Sequence, residues 1–273
     1  MMVRSFRRSF AACCGACFGK RYGVSCVMAF IFLVFSQQAL LHAESGCMDG
    51  DCANGSGTYI YTDGTKYIGT FSNNLVDGQG RLYYVDGSFY SGGFKAGKRS
   101  GTGKYVFSGG GSYEGEFRDD KINGKGTYKY KDGTVYTGDF KNDKWDGFGD
   151  MIFPDGQRYT GSFKDNKKTG IGKYVWKDGQ VYDGSFVNDN MEGKGVLVLA
   201  NGSRYEGEFK DNKYDGTGKF TYADGSNYVG RFKNNFMHGL GELTYADGKV
   251  FEVEYAQGQL VKVIKEIKKE NKE

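Results

Sequence analysis

The stretch YEGEFKDNKYDGTGKFTYADGSN, residues 205–227, decides the fold, because the chain restarts the same pattern with YVGRF at Tyr228. The motif Y-x-G-x-F recurs every 23 residues without insertion or deletion, beginning at Tyr67, Tyr90, Tyr113, Tyr136, Tyr159, Tyr182, Tyr205 and Tyr228. A half copy begins at Gly55 and a degraded copy at Phe251. A fixed period of this size indicates a solenoid-like array, in which each unit buries its apolar face against its neighbours.

Each unit contains two segments whose period of two predicts β-strands. The first is Y-x-G-x-F, and the second is G-x-G-x-Φ-x-Φ with Φ apolar, as in residues 216–222. Between them we expect a loop of six mostly polar residues, here 210–215, while Asp224-Gly225 marks a tight turn. The unit is therefore a β-hairpin, and we predict an all-β protein, an elongated antiparallel meander of stacked hairpins.

Strand parity predicts the type of the tight turn. Directly opposed residues of an antiparallel pair point to the same face. If all consensus aromatics share one face, the connection before Tyr228 contains an odd number of residues. A three-residue loop, 223–225, with a type I turn and a left-handed glycine bulge satisfies this condition. It places Tyr205 opposite Phe220 and Phe220 opposite Tyr228.

The same register predicts where the glycines lie. Gly207 falls opposite Gly218, and Phe209 falls opposite Gly216. Because glycine has no side chain, these positions leave notches beside the aromatic ribbon where the rings can lie flat. We therefore expect one aromatic face and one solvated face.

The repeat resembles the MORN (membrane occupation and recognition nexus) repeat, whose usual form is close to Y-x-G-x-W/F…G-x-G-x-Φ-x-Φ-x-D-G. The resemblance covers about residues 55–250, and the chain departs from it in using Phe where Trp is commoner. It implies a grooved β-sheet used for protein or lipid contact or for dimerisation, and it implies no catalysis.

The aromatic face supplies the candidate binding groove. Its candidate residues are Tyr113, Phe117, Tyr128, Tyr136, Phe140, Tyr159, Phe163, Tyr174, Trp176 and Tyr182. The fifth position of the six-residue loop is apolar in six copies, at Val76, Ile122, Trp145, Met191, Tyr214 and Met237, and basic in two, at Arg99 and Lys168. Two interpretations stay open: these side chains fold over the aromatic face, or they form an apolar contact ridge for a partner or a membrane surface.

Nothing in the repeats predicts an enzyme. His238 is the single histidine after the leader, and acidic pairs such as Glu206 and Glu208 lie on a strand's polar face. The G-x-G pairs lack the G-x-G-x-x-G context of a phosphate loop. We expect no catalytic residue, no metal site and no cofactor.

Residues 1–43 differ from the repeats. They contain five basic and no acidic residues, followed by the apolar run VSCVMAFIFLVF at 24–35. This pattern predicts a signal peptide that ends at Ala43, or an uncleaved signal anchor over 24–43. Either alternative predicts an exported protein that is periplasmic, secreted or anchored on the outer face of a membrane.

The segments that flank the array carry their own predictions. Residues 44–54 form a short linker, in which Cys47 and Cys52 are candidates for a disulfide, or Cys47 for lipidation. The array itself spans 55–259. In the tail LVKVIKEIKKENKE, residues 260–273, apolar residues at helical spacing predict a short amphipathic basic helix. The tail either caps the last hairpin or binds acidic lipid.

Charge argues against a nucleic-acid partner. The chain has 37 basic and 33 acidic residues, and removing the leader's five basic residues leaves 32 against 33. The apparent basicity is therefore a feature of the leader. We predict an exported scaffold whose partner is another protein or a second copy of itself in a homodimer. The alternatives are a glycan of the cell envelope and an acidic phospholipid.

Overall fold

The computed structural model describes residues 45–267 as one open antiparallel β-sheet of twenty strands. Each strand pairs with its neighbours in the chain, from the β1–β2 pair to the β19–β20 pair. Within these residues no helix is long and apolar enough to cross a bilayer. The predicted signal peptide or anchor and the last six residues of the tail lie outside the described part of the chain.

Within the repeats, strands of seven residues alternate with strands of nine residues. Their bounds are β1 (Gly46–Gly50), β2 (Ser56–Ile60), β3 (Lys66–Ser72), β4 (Leu75–Tyr83), β5 (Phe89–Lys95), β6 (Lys98–Val106), β7 (Ser112–Arg118), β8 (Lys121–Lys129), β9 (Val135–Lys141), β10 (Lys144–Ile152), β11 (Arg158–Lys164), β12 (Lys167–Val175), β13 (Val181–Val187), β14 (Asn190–Val198), β15 (Arg204–Lys210), β16 (Lys213–Thr221), β17 (Asn227–Lys233), β18 (Phe236–Thr244), β19 (Val250–Ala256) and β20 (Gln259–Ile267).

The tight turn between repeats has the predicted form. The Tyr222 N–H donates to the Ser226 carbonyl at 2.8 Å, and the Gly225 N–H donates to the Tyr222 carbonyl at 3.0 Å. Gly225 has φ +89°, the left-handed conformation of a glycine bulge. The three-residue loop and the pairing of Phe220 with Tyr205 and Tyr228 are thus confirmed.

The prediction of a six-residue loop is wrong, because the two strands of the hairpin continue up to a two-residue turn. Asp211 (φ +48°) and Asn212 (φ +63°) both have positive φ, which is characteristic of a type I′ turn. Phe209 consequently pairs with Tyr214, not with Gly216. Residues 215–217 then bulge opposite a single residue of β15, and the predicted pairing of the glycines at 207 and 218 is restored. Asn and Asp tolerate left-handed φ, so the Asn and Asp residues at these two positions are the sequence signal for the turn.

The prediction of a helical tail is also wrong. Its described part is β20, which pairs antiparallel with β19, with Tyr255 opposite Leu260. Gln257 and Gly258 both have positive φ and form a last two-residue turn, which directs the following residues back along the edge of β19. The described part of the tail, 260–267, covers that edge as part of a strand. At the other end, the predicted linker 44–54 contains β1.

The core is built mainly of aromatic rings packed on one face of the sheet. Tyr159 is 0 % exposed and contacts Phe163 of its own repeat and Phe186 of the next, with ring centroids 5.0 and 5.1 Å apart. A Cβ atom on Gly161 or Gly172 would meet the Tyr159 hydroxyl at 2.5 or 2.4 Å. The predicted notches are therefore present. Each ring buries roughly 150–250 Å², so the sheet needs no second layer.

Candidate binding groove

The consensus members of the predicted groove lie beneath its surface. Tyr113, Tyr136, Tyr159 and Tyr182 are fully buried, and Phe117, Phe140 and Phe163 are nearly so. The hydroxyl of each tyrosine donates to the carbonyl three residues further on, for example from Tyr136 to Asp139 at 3.0 Å. These seven residues support the groove from below, and the surface available to a partner belongs to other rings.

That surface is a continuous run of half-buried rings, the aromatic strip, made of Tyr84, Tyr105, Phe107, Tyr128, Tyr130 and Trp145. Successive ring centroids are 5.8, 4.7, 5.3, 4.3 and 6.2 Å apart. Except for Trp145, these side chains occupy the Φ positions of G-x-G-x-Φ-x-Φ. Tyr128 and Trp145 are among the candidate binding residues predicted from the sequence. The other four rings were not predicted, although their positions are part of the repeat pattern.

A second group of half-buried rings follows in the next repeats. Tyr174 lies 6.4 Å from Phe153 and 4.6 Å from Trp176 between ring centroids. The Tyr174 hydroxyl donates to Gln157 Oε1 at 2.9 Å, which orients the ring. Of the predicted groove residues, Tyr128, Tyr174 and Trp176 therefore reach the surface.

The predicted loop-rim residues lie on strands, opposite the consensus Phe of their own repeat, and pack over the buried tyrosine. The Trp145 ring stacks on Tyr136 with centroids 5.2 Å apart and planes at 23°. Tyr214 stacks on Tyr205 at 3.9 Å and 21°. The equivalent apolar residues, Val76, Ile122, Met191 and Met237, pack against the same core. Folding over the aromatic face is thus observed, and a contact role for these side chains stays a prediction.

The two basic residues at this position follow the same arrangement. The Arg99 guanidinium lies 5.8 Å from the centroid of Tyr90, and Lys168 Nζ lies 5.7 Å from that of Tyr159. Each cation also pairs with an aspartate of the next repeat, Arg99 with Asp120 at 3.2 Å and Lys168 with Asp189 at 3.8 Å. Cation–π contact and ion pairing together leave little free charge on the groove surface.

The strip rings themselves carry no charge and bring hydroxyl groups to the surface, while the Arg99 guanidinium lies 5.4 Å from the centroid of Tyr105 and pairs with Asp120. Burial, followed by the Coulombic effect of Tyr128, raises the pKa of Tyr130 to about 12. Burial likewise raises the pKa of Tyr84 and of Tyr128. Their phenols remain neutral at physiological pH and can donate hydrogen bonds. A surface of neutral amphipathic rings suits a protein segment or another uncharged, partly apolar ligand.

Other candidate positions lie away from the strip. Cys47 and Cys52 form a disulfide with their Cα atoms 5.9 Å apart. His238 lies on β18, and its buried Nδ1 has no hydrogen-bond partner. Glu206 forms a surface ion pair with Arg204. Within residues 45–267, no group of three or more His, Cys, Asp or Glu side chains is arranged to hold a metal ion.

The repeat geometry agrees with the family comparison. The MORN repeat model matches nine consecutive segments, 53–66, 67–89, 90–112, 113–135, 136–158, 159–181, 182–204, 205–227 and 228–250. These segments include most of the chain, and the protein belongs to the MORN repeat family. The MORN repeat is a non-catalytic repeat. The degraded copy at Phe251 falls outside the matched residues but continues the sheet as β19 and β20.

Comparison with solved structures finds distant similarity. The wild-type TCP10 domain of Danio rerio CPAP has 16% identity and a TM-score of 0.44, with 78% of this chain and 99% of that chain covered. The Drosophila melanogaster SAS-4 TCP domain, in complex with a proline-rich motif of Ana2, has 18% identity and a TM-score of 0.28, with 65% and 84% covered. Virginiamycin B lyase from Staphylococcus aureus has 9% identity and a TM-score of 0.16, with 75% and 71% covered. A search of curated proteins finds no match.

Proposed function

We propose that this protein is an exported, non-catalytic scaffold that binds a protein partner through the aromatic strip. One observation carries the proposal: six half-buried rings in successive repeats form an unbroken apolar surface on one face of the sheet. Monomeric proteins rarely leave a contiguous aromatic surface of this kind without a binding role. Tyr and Trp are also the residues most enriched at the centres of protein interfaces.

The rigidity of the surface supports the same proposal. The strip rings rest on buried tyrosines, which in turn lie flat on glycine pairs of the sheet, as Tyr113 does on Gly115 and Gly126. A partner therefore meets rings whose positions are already held by packing, and little side-chain entropy is lost on binding. The tyrosine hydroxyls add hydrogen-bonding groups that discriminate among apolar segments.

The glycan and phospholipid alternatives predict different partners. Stacked aromatic rings also bind sugars, so a glycan remains a separate outcome of the test. One basis of the lipid alternative was an amphipathic basic helix in the tail, and in the described residues that segment is β20. Contact of the sheet itself with lipid, which the MORN resemblance also implies, stays a separate outcome of the test.

The test compares the loss of strip rings with the loss of an exposed aromatic ring on the opposite face. Phe107→Ala with Tyr130→Ala removes two rings of the strip, whereas Phe148→Ala removes a ring that is 60 % exposed on the opposite face. A partner is first identified by crosslinking in the intact cell envelope and then titrated against each purified variant. We expect the strip variant to lose at least tenfold in affinity and the Phe148 variant to bind as the wild type does.

Equal binding by the strip variant and the wild type would reject the groove, provided both melt at similar temperatures. Binding to a glycan array that disappears in the strip variant, with no protein partner, would support the carbohydrate alternative. Export is tested separately by fractionating cells and sequencing the N-terminus of the mature protein. Retention of the full chain in the cytoplasm would contradict it.

A further inference from the structure

The 23-residue period continues in phase into β1. Gly46 and Met48 stand 23 positions before Gly69 and Phe71, the consensus glycine and phenylalanine of the next copy. Residues 50–51 likewise stand 23 positions before the two-residue turn at 73–74, where φ is positive. The sequence therefore supplies β1 with a glycine for the notch and an apolar side chain for the aromatic face, as it does in the internal repeats.

The observed pairing of β1 differs from the register of the repeats. Each internal hairpin pairs its two notch glycines, as Gly69 pairs with Gly80 and the equivalent glycines pair further along. The equivalent partner of Gly46 is Gly57. Gly46 instead pairs with Ile60, three residues further along β2. β1 is thus displaced from the position that its own sequence matches.

The displacement exchanges the side chains that β1 presents to each face. A shift by an odd number of residues moves a side chain to the other face of the sheet. Cys47 consequently pairs with Tyr59, a ring packed on the aromatic face. Met48 lies in a bulge and is 44 % exposed, whereas the equivalent Phe71 is 7 % exposed. The apolar residue of the copy is therefore left outside the core.

The disulfide between Cys47 and Cys52 occupies the place that Met48 and a consensus tyrosine leave. A Cβ atom on Gly57 would meet Cys52 Sγ at 2.9 Å, whereas a Cβ on the equivalent Gly80 would meet the ring and hydroxyl of Tyr67. Cys52 also packs against the aromatic core. The sulfur thus fills the notch in a copy whose sequence has Glu44 in place of the tyrosine.

The disulfide and the repeat register exclude each other. In the repeat register Asp49 would face Cys52, as Ser72 faces Leu75 in the next hairpin. Cys47 lies two residues before Asp49, so its Cα would be about 8 Å from that of Cys52, given the rise along a strand and the spacing between strands. A disulfide requires Cα atoms within roughly 7 Å, and the observed distance is 5.9 Å. The S–S bond therefore holds β1 in the displaced register.

We propose that the Cys47–Cys52 disulfide is a redox switch that sets the register of β1. A thiol or dithiol reductant breaks the S–S bond, gives two electrons and two protons to form the two cysteine thiols, and is itself oxidised to a disulfide. β1 then shifts into the repeat register, with Gly46 facing Gly57 and Met48 on the aromatic face. The inference does not depend on the binding role of the aromatic strip.

Only residues 46–52 have to move. From residue 53 onward the copy already follows the repeats, since the Asn74 N–H donates to the Ala53 carbonyl at 2.9 Å, as Asn166 does to Trp145. Gly50 has φ +77°, the left-handed conformation required at the first position of the two-residue turn. Glycines at both ends of β1 specify its register weakly, and burial of the Met48 side chain favours the shift.

The experiment follows the exposure of Met48. Cys47→Ser with Cys52→Ser removes the disulfide and leaves no thiol to consume the oxidant. The variant and the disulfide-bonded chain are treated with dilute hydrogen peroxide, and mass spectrometry of peptides measures methionine sulfoxide. We expect Met48 to oxidise at least threefold more slowly in the variant. Met151, which is 6 % exposed, is the internal reference and should oxidise slowly in both.

A second variant tests the register itself. Met48→Phe introduces the consensus residue, so it should raise the melting temperature in the double-serine background, where the side chain packs on the aromatic face. In the disulfide-bonded chain the same change falls in the bulge and should have little effect. Hydrogen exchange of the wild-type chain, with and without a dithiol, should show residues 46–50 still protected after reduction.

Four results would overturn the proposal. The purified chain lacks the disulfide, Met48 oxidises as fast or faster in the double-serine variant, reduction removes the protection of residues 46–50, or Met48→Phe has the same effect in both backgrounds. The second and third results would indicate that β1 detaches from the sheet when the disulfide is absent. If Met151 also oxidises rapidly, the double-serine variant has unfolded, and hydrogen exchange of the reduced wild-type chain decides the question.

Discussion

Asn166 and Trp145 exchange two hydrogen bonds across adjacent repeats: the Asn166 N–H donates to the Trp145 carbonyl at 3.0 Å, and the Trp145 N–H donates to Asn166 Oδ1 at 2.8 Å. Asn166 is the second residue of a type I′ turn and has φ +67°. The exchange recurs at Arg99–Asp120, Ile122–Asp143, Lys168–Asp189, Met191–Asn212 and Tyr214–Asn235. The exchange holds the backbone of each loop-rim residue in place, whichever side chain that residue carries. The side chain is therefore free to vary between repeats.

The turn residue should therefore be sensitive to both its side chain and its backbone. Asn166→Gly keeps the left-handed conformation but leaves the Trp145 N–H without an acceptor, and we expect a loss of about 1 kcal/mol in unfolding free energy. Asn166→Ala adds the cost of left-handed φ, roughly 1–2 kcal/mol more. Asn166→Asp retains the acceptor and is the control. Urea denaturation measures the series, and equal stability of the Gly variant and the wild type would contradict the role of the exchange.

The glycine notch makes a second prediction. A Cβ atom on Gly172 would lie 2.4 Å from the Tyr159 hydroxyl, so Gly172→Ala should displace the ring and cost about 1–3 kcal/mol. Gly109 occupies the turn position that is Asp or Asn in the other repeats, has nothing within 4 Å of its Cβ direction, and has an ordinary φ. Gly109→Ala should be neutral or stabilise by about 0.4–1 kcal/mol. Thermal melting of both variants checks the contrast, which fails if the two shift equally.

Ala96 should be a site of stabilisation. It is the first residue of a type I′ turn at φ +47°, where most other repeats have Asn or Asp. Because a left-handed conformation strains alanine more than asparagine, Ala96→Asn should stabilise the protein by about 1 kcal/mol. Its N–H bond to Asp77 Oδ2 at 2.9 Å is kept. Ala223→Asn, at a turn position of ordinary φ, is the control and should change the melting temperature little.

High pH should unfold the array through its buried tyrosines. Burial raises the pKa of Tyr67, Tyr90 and Tyr182 to about 12, whereas tyrosine in an unfolded chain titrates near 10. The folded state thus favours the neutral phenol, and its stabilisation is complete below pH 10 and is lost as pH rises from about 10 towards 12.

Tyrosinate absorbance and circular dichroism, followed together, measure this loss. We expect the buried phenols to ionise in the same transition in which the β signal disappears, at a pH above the normal titration of the exposed tyrosines. Full ionisation near pH 10 with the sheet intact would show that the consensus tyrosines are accessible.

The candidate site was less predictable than the fold. Period and parity placed every consensus ring on one face, and the pairing of Tyr205 with Phe220 confirms this. Period and parity did not predict which of these rings are most deeply buried. The consensus tyrosine is the deepest residue because it lies flat on a glycine pair and the rim side chain covers it, as Tyr214 covers Tyr205. That layering depends on the two-residue turn, which brings residue 214 opposite Phe209.

The sequence alone determined the hairpin unit, the antiparallel meander and the three-residue turn at Gly225, because each follows from local periodicity and turn chemistry that recur with few substitutions along the array. Tertiary structure decided the tail and the exposed surface. Residues 260–267 have helical spacing, yet β19 presents an unpaired edge and the turn at Gln257 and Gly258 returns the chain to it, so pairing prevails over local propensity. Which rings remain exposed likewise depends on packing between repeats, a property that no single copy of the pattern contains.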